Sequence, residues 1–461
     1  MNYPVWDVPV IGSGWVIGII AIIHVLISHF AVGGGIYLAV AEWKARREGR
    51  TDWLPYLKSH SYFFLVLTGV YGAVTGVAIW FAIGLAHPEG TSTLIHNFVF
   101  GWGIEWVFFL VELTAAAVYY YTWDRIPPKL HQFVGWVYAG ASVLTLVIIN
   151  GILTFMLTPG AEWLAVAGTG REAGEFWNAF FNPTYWPSLV MRTAVCLAMA
   201  AIWGLVSASR LDPKSQAGLK TAVVRWSAWW LIPAFVLMPL CFVWYLYMIP
   251  PDRSGLLELG VTTIGQGTFT QVTRAALVSV MTSATVLAIV YFIAYQRPTE
   301  FTLGHAIAVL GIALAATGST EYSREMLRKP YVVADHMYSS GVRKSDVERL
   351  NRDGYLTHSP WVGEAAAGPH DRGRLMFLGQ CASCHTPDGY RPMKTLLGDR
   401  DRKAIENLLE TLHANKDDSP YRKFMPPLVG TPDERAALAD YLLTPSPRRG
   451  PRGSPALASG R

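Results

Sequence analysis

Charge is what this sequence has least of. Asp, Glu, Lys and Arg make up 15% of its 461 residues, against 52% apolar and 13% aromatic. So little charge, set among long apolar runs, excludes an ordinary water-soluble enzyme and points to an integral membrane protein. The formal charge of +5 by itself decides little, and no nucleic-acid partner is expected. Cysteine is scarce as well, with four residues in all. Cys196 and Cys241 lie inside apolar runs, where a small buried residue is the expected role. The other two form one pair with no second pair elsewhere, which sets aside a four-thiolate zinc site. No basic stretch precedes the first apolar run and no small-residue cleavage site follows it, so no removable signal peptide is expected.

What the chain does have is apolar length. Eight stretches are long enough to cross a bilayer, at roughly 14–42, 60–86, 97–122, 133–157, 186–207, 227–249, 271–295 and 303–323. The expected fold class is therefore all-α, a polytopic bundle of about eight spans. Basic residues orient it. The loops after the first, third, fifth and seventh spans hold Lys44, Arg46, Arg47, Arg50, Lys58, Arg125, Lys129, Arg210, Lys214, Lys220, Arg225 and Arg297. The opposite loops hold only Arg171 and Arg253. Positive charge marks the cytoplasmic side, so both termini are expected outside.

After the last span the composition turns polar. Residues 332–369 read as an extracytoplasmic linker, with a short helix possible over Lys344–Asn351. Then comes Cys381-Ala382-Ser383-Cys384-His385, the attachment signature of a c-type haem. The two thiols add to the porphyrin vinyl groups and the adjoining imidazole ligates iron. Gly373, Phe377 and Cys381 resemble the N-terminal helix of small monohaem cytochromes c. Met425, in the proline-braced Phe424-Met425-Pro426-Pro427 loop, is the expected sixth ligand, with His413 as competitor. A helix follows at Asp433–Leu443. The domains are thus 1–331, the bundle; 332–369, the linker; 370–445, a cytochrome c domain; and 446–461, a Pro/Gly/Ser/Arg-rich tail expected to be disordered.

Ionisable residues within spans are functional candidates, because a lone charge in hydrocarbon is costly. His24 and His29 share the first span, rotated by about 140° on the helix. Glu105 and Glu112 lie seven residues apart on one stripe of the third. Arg192 sits in the fifth span and Arg274 opens the seventh, where it could simply snorkel. Glu321, Arg324, Glu325 and Arg328 close the eighth. The assigned directions gather most of this set in the outer half of the bilayer. Imidazole and carboxylate can ligate haem iron, and guanidinium can pair with propionates. His60 and His305 lie near the cytoplasmic side, where packing or interfacial roles are expected.

These residues, taken in order, resemble subunit I of the cytochrome bd quinol oxidases. His24 matches the family's first-span haem ligand. Gly72-Ala73-Val74-Thr75-Gly76 is similar to its second-span Gly-Val-Ala-Thr-Gly. Glu112 keeps the family spacing to Trp123-Asp124-Arg125, while Glu105 is one place from the first family carboxylate. Asn150-Gly151 and Asn182-Pro183 also fit. Glu325-Met326-Leu327-Arg328-Lys329-Pro330-Tyr331 resembles a motif whose Glu ligates a second high-spin haem and whose Arg supports it. The chain also departs from the family. Where the low-spin haem's histidine would stand, the fifth span reads Val190-Met191-Arg192-Thr193, and Ala275 and Ala276 follow Arg274. The outer quinol loop shrinks to Pro250–Gly267. The resemblance implies a divergent bd-like oxidoreductase that keeps a high-spin haem pair, b or d, and has lost or rebuilt the low-spin haem and quinol site.

The expected function follows. Electrons from a soluble cytochrome c or another outer donor enter at the covalent haem c and reach two non-covalent membrane haems, where O2 is reduced to water. Glu105 and Glu112 carry protons or ligate haem. The rival readings are a non-oxidase relay subunit, with quinol as a possible donor, and a membrane anchor for the cytochrome with vestigial haem sites. Further membrane subunits or a homo-oligomer fit any of these. The expected location is the bacterial cytoplasmic membrane, with the cytochrome domain on the extracytoplasmic side.

Overall fold

The computed structural model describes residues 5–249, 267–359, 362 and 368–444. The quinol-loop remnant, Arg253 and the C-terminal tail lie outside the described residues. Among the described residues, eight helices are long and apolar enough to span a membrane: α1 Ser13–Arg47, α2 Trp53–Ala86, α3 Pro88–Tyr121, α4 Pro128–Phe155, α5 Tyr185–Ser209, α6 Ala217–Tyr247, α7 Gly267–Ile289 and α8 Leu303–Leu327. The helical bundle expected from the sequence is present.

Most of the helices overrun the apolar stretches at one end or both, because the last turns carry the charges that lie at the membrane surface. The α3 boundary has a sharper cause. Its apolar stretch was expected from residue 97, and the helix breaks there: Phe98 has φ −123° and ψ 26°. The turns from Pro88 to the kink form a separate piece, started by His87, whose Nδ1 accepts from the Gly90 amide at 3.2 Å. α2 carries a π-helical turn at Leu67–Gly72 and α7 continues into another at Val290–Tyr295. Such turns rotate the following residues relative to the preceding face.

Cα packing divides the chain into two compact units. One comprises Ile17–Ser339 with Arg343–Ser345, the other Met1–Val16, Ser340–Val342 and the chain from Asp346 onward. Within the membrane unit α4 and α5 are central, with 56% and 61% of their most apolar stretches buried, against 11–28% for the other spans. α1 meets α5, α2 and α4 through consecutive glycines. A Cβ on Gly33 would lie 1.9 Å from the Cys196 carbonyl oxygen, one on Gly34 2.3 Å from the Phe64 ring, and one on Gly35 3.2 Å from Ala139 Cα. A short antiparallel hairpin, β1 Tyr331–Val333 and β2 Met337–Tyr338, follows α8. Val332, Val333 and Met337 enter an apolar cluster with Phe98, Phe155, Trp163 and Tyr185, and the Ala334 amide donates to the Met156 carbonyl at 3.0 Å.

The other unit is helical too: α9 Pro369–Gln380, α10 Arg402–Ala414 and α11 Pro432–Leu443, preceded by a short helix at Val347–Asp353. The segment expected to be a linker, 332–369, therefore divides. Its start is the hairpin of the membrane unit. Its later part is fixed to the second unit, because the buried Glu434 carboxylate accepts from the Tyr355 and Leu356 amides at 2.9 and 2.8 Å. The residues just before α1 share a unit with the C-terminal part.

Gly33→Ala should cost about 1–3 kcal/mol by overpacking against a backbone carbonyl that cannot yield. Thermal unfolding in detergent should show a clear fall in midpoint, whereas Gly84→Ala, where nothing lies within 4 Å, should leave it near the native value.

Candidate functional site

The polar groups of the membrane unit fall into sets that differ in how completely they are satisfied. At the end of α1 that carries its basic turn, Glu42 accepts from Arg46 Nε at 2.6 Å, Tyr119 Oη at 2.8 Å and His131 Nδ1 at 2.9 Å. His131 Nε2 meets the Tyr119 carbonyl oxygen at 2.9 Å. Both ring nitrogens face acceptors, so this is a closed ion cluster tying α1, α3 and α4. His60 is packed in place, its Nδ1 hydrogen-bonded to Ser207 at 3.0 Å and its ring stacked on Tyr56, while its Nε2 is buried without a partner. His305 caps α8 with Thr302. Packing or interfacial roles were expected of both; His60 packs, and His305 serves as a helix cap.

Towards the other end of the spans the sets are less complete. His24 Nδ1 is 3.0 Å from Thr75 Oγ1 on α2. The Thr75 hydroxyl donates to the Tyr71 carbonyl at 2.7 Å, so it can only accept from His24. That fixes the tautomer with the lone pair on Nε2, the state a metal-ligating imidazole needs. Thr75 went unnoticed as a functional residue in the sequence, although it stands in the quoted second-span motif. His29 faces a different neighbourhood, is buried, and its Nδ1 has no partner.

Glu112 is 3% exposed and its Oε1 has no hydrogen-bond partner; the hydroxyls of Thr68, Tyr138 and Thr145 are likewise buried and unpartnered. These groups lie on α3, α2 and α4, with Gly69 of α2 directly against Leu113 of α3. Buried polar atoms are nearly always satisfied, by water where protein does not suffice. Glu105 is half-buried two turns away on the same stripe.

Arg192 is buried on α5, its Nε donating to Ser188 at 3.3 Å and its Nη2 4.0 Å from Glu321 of α8. Arg324 binds the same carboxylate at 2.9 Å. This triad contains two residues, Glu321 and Arg324, that the sequence offered only as charges closing the last span. Glu325 accepts from Arg328 at 2.5 Å; Arg328 also donates to Met156 Sδ at 3.2 Å, and its Nε is buried without a partner. Arg274, about two turns into α7, is exposed.

Just outside the spans, His87 is buried, its Nδ1 on the Gly90 amide and its Nε2 3.1 Å from the Ser339 carbonyl. Burial, with the nearby Arg328 and Lys329 charges, lowers its pKa to about 4. It is neutral in the fold.

In the second unit, α9 delivers Cys381. α9 and α11 cross closely, because Gly373 leaves room that a Cβ, 2.1 Å from the Ala437 carbonyl oxygen, would fill. The Gln380 side chain and the Val429 backbone exchange two hydrogen bonds of 2.9 Å, tying the residue before Cys381 to the segment just after Met425-Pro426-Pro427. His385 Nδ1 donates to the Arg391 carbonyl at 3.2 Å, again placing the ring lone pair on Nε2. His413 is committed elsewhere: Nδ1 lies 2.9 Å from the Leu428 carbonyl, and Arg435 is 3.3 Å from Nε2.

The sequence profile of the family described as cytochrome bd terminal oxidase subunit I matches residues 13–243. Among solved structures, a chain of the bd oxidase from Geobacillus thermodenitrificans is similar in fold. Its TM-score is 0.60 at 16% identity, over 79% of this chain and 97% of that one. No curated protein matches the sequence.

Because His87 has a folded pKa near 4 and an ordinary value near 6.5 when exposed, the unfolded chain takes up the proton first. Its neutral state should support stability fully above pH 6.5, with the benefit lost as pH falls toward 4. His87→Asn keeps a capping side chain without the titration, so it should flatten the acid side of a melting-temperature profile between those values. An acid limb of unchanged slope would contradict the assignment.

Proposed function

The chain belongs to the cytochrome bd terminal oxidase subunit I family, and on that premise we propose that it is a respiratory oxidoreductase of the bacterial cytoplasmic membrane. In this reading it passes electrons between a covalent haem c in the C-terminal unit and haems of type b or d in the bundle, and reduces O2 to water. When bound, these haems supply one-electron iron chemistry and a place for O2 to take up four electrons and four protons.

The residues present suit such groups. Cys381 and Cys384 would hold the haem c covalently, and His385 has the required tautomer. Met425 is favoured over His413 as the second axial ligand, since both His413 nitrogens are engaged. A thioether raises the iron potential relative to a second imidazole. That suits a relay feeding an oxidising centre. His24 and Glu325 would hold the membrane haems, with Arg192, Arg274 and Arg328 as candidate partners for propionates. The observation that carries this reading is the His24–Thr75 bond, which leaves an imidazole lone pair inside an apolar bundle with its tautomer already set.

Glu112 and Glu105 would hold protons for a buried reduction site. Unsatisfied hydroxyls on α2 and α4 support this role, because the water they call for is a medium through which protons move. A reduced cytochrome c, or a quinol, is the donor class. Exposed apolar faces on α2 and α3, including Val74, Phe81, Trp106 and Leu110, leave room for lipid or further membrane subunits.

Purified protein carrying all its haems should consume oxygen when given reduced cytochrome c. Glu112→Gln, isosteric but unable to release a proton, should lower turnover by two orders of magnitude or more while leaving haem content unchanged. Absence of uptake by the fully loaded native protein would defeat the oxidase reading.

A further inference from the structure

The residues before the first membrane helix, together with its first turn, belong to the same compact unit as the haem-attachment loop, and they are built into it. The Tyr390 amide donates to the Val10 carbonyl at 2.8 Å, and Ser13 Oγ donates to the Ala382 carbonyl at 3.2 Å. Trp15 and Tyr390 meet edge to face at 5.5 Å between ring centres. Asp7 and Arg374 form an ion pair of 3.0 Å. Two glycines permit the approach. A Cβ on Gly389 would lie 2.0 Å from the Val10 carbonyl oxygen, and one on Gly14 2.7 Å from that of Ser383. Ala382 and Ser383 are the two residues between the haem-binding cysteines, so the segment lies directly against the loop.

We propose that residues Val8–Trp15 form a fixed lid over the haem-attachment loop, closing that face of the module to a soluble electron-carrier protein. The inference rests on the haem c reading above. Cys381 and Cys384 of this loop would hold both thioether carbons of a c-type haem, so a carrier protein docking on its outer surface would come close to the group. Electron exchange weakens steeply with the distance between cofactor edges, and a layer of polypeptide over the loop is enough to suppress it. Backbone hydrogen bonding and glycine-dependent contact make the cover specific. A donor protein must then approach by another face of the module.

The test uses the full-length protein with haem attached. In the native protein the Tyr390 amide should be strongly protected from hydrogen exchange. Gly389→Val and Gly14→Leu should each remove that protection, and deletion of the residues before Gly12 removes the Val10 acceptor outright. With covalent haem content unchanged, opening the lid should raise the second-order rate of haem c reduction by a soluble reduced cytochrome c about tenfold. Rapid exchange of Tyr390 in the native protein would overturn the proposal. So would an unchanged or lower rate in a variant that has lost the protection. Native protein without a covalent haem would instead overturn the reading on which the lid depends.

Discussion

A polar group inside an apolar bundle must be answered by a partner, by water or by a ligand, because hydrocarbon offers nothing else. That constraint organises the membrane unit. Near the basic end of α1, Glu42, Arg46, Tyr119 and His131 answer one another completely, and three helices are tied as a result. Arg192, Glu321 and Arg324 join α5 to α8 more loosely, with Arg192 Nη2 4.0 Å from the carboxylate that Arg324 binds at 2.9 Å. The Glu42 cluster needs nothing added. His24, Glu112 and Arg328 differ. Each is held in place by its surroundings yet keeps an atom unanswered or a lone pair directed by a neighbour. The bundle thus separates the ionisable groups that hold it together from those with capacity left for a cofactor, water or a proton.

The second unit follows the same logic on a smaller scale. Helices α9 and α11 cross at a glycine, the Gln380–Val429 pair bridges the two flanks of the candidate haem cleft, and buried Glu434 gathers the incoming chain. His385 is oriented by a backbone carbonyl as His24 is oriented by a threonine. In both, a hydrogen bond at Nδ1 decides which nitrogen carries the proton.

Much of this was legible in the sequence, for identifiable reasons. Spans are read from the length of apolar runs, and the Cys381–His385 signature is contiguous, so both survive without any knowledge of tertiary contact. Glu112 and Glu325 stood out because a carboxylate in an apolar run is conspicuous by itself. What escaped was whatever the fold assembles from distant pieces. Nothing in the sequence singles out Glu42 or His131; only packing makes them a pair. Thr75 is a common residue whose role exists only opposite His24. The place of Asp7–Trp15 in the C-terminal unit depends on partners more than 360 residues away. The segment taken for a linker is polar because its surface is wet, and polarity does not reveal that Glu434 anchors it.

The central claim is that the bundle holds haem with an open coordination position while the C-terminal unit holds a covalent, closed one. A carbon monoxide difference spectrum of the reduced, purified protein addresses it most directly. The account predicts a carbon monoxide-sensitive high-spin signal from the membrane haems beside an insensitive c-type band. A spectrum in which carbon monoxide changes nothing, from protein shown to contain its haems, would contradict it.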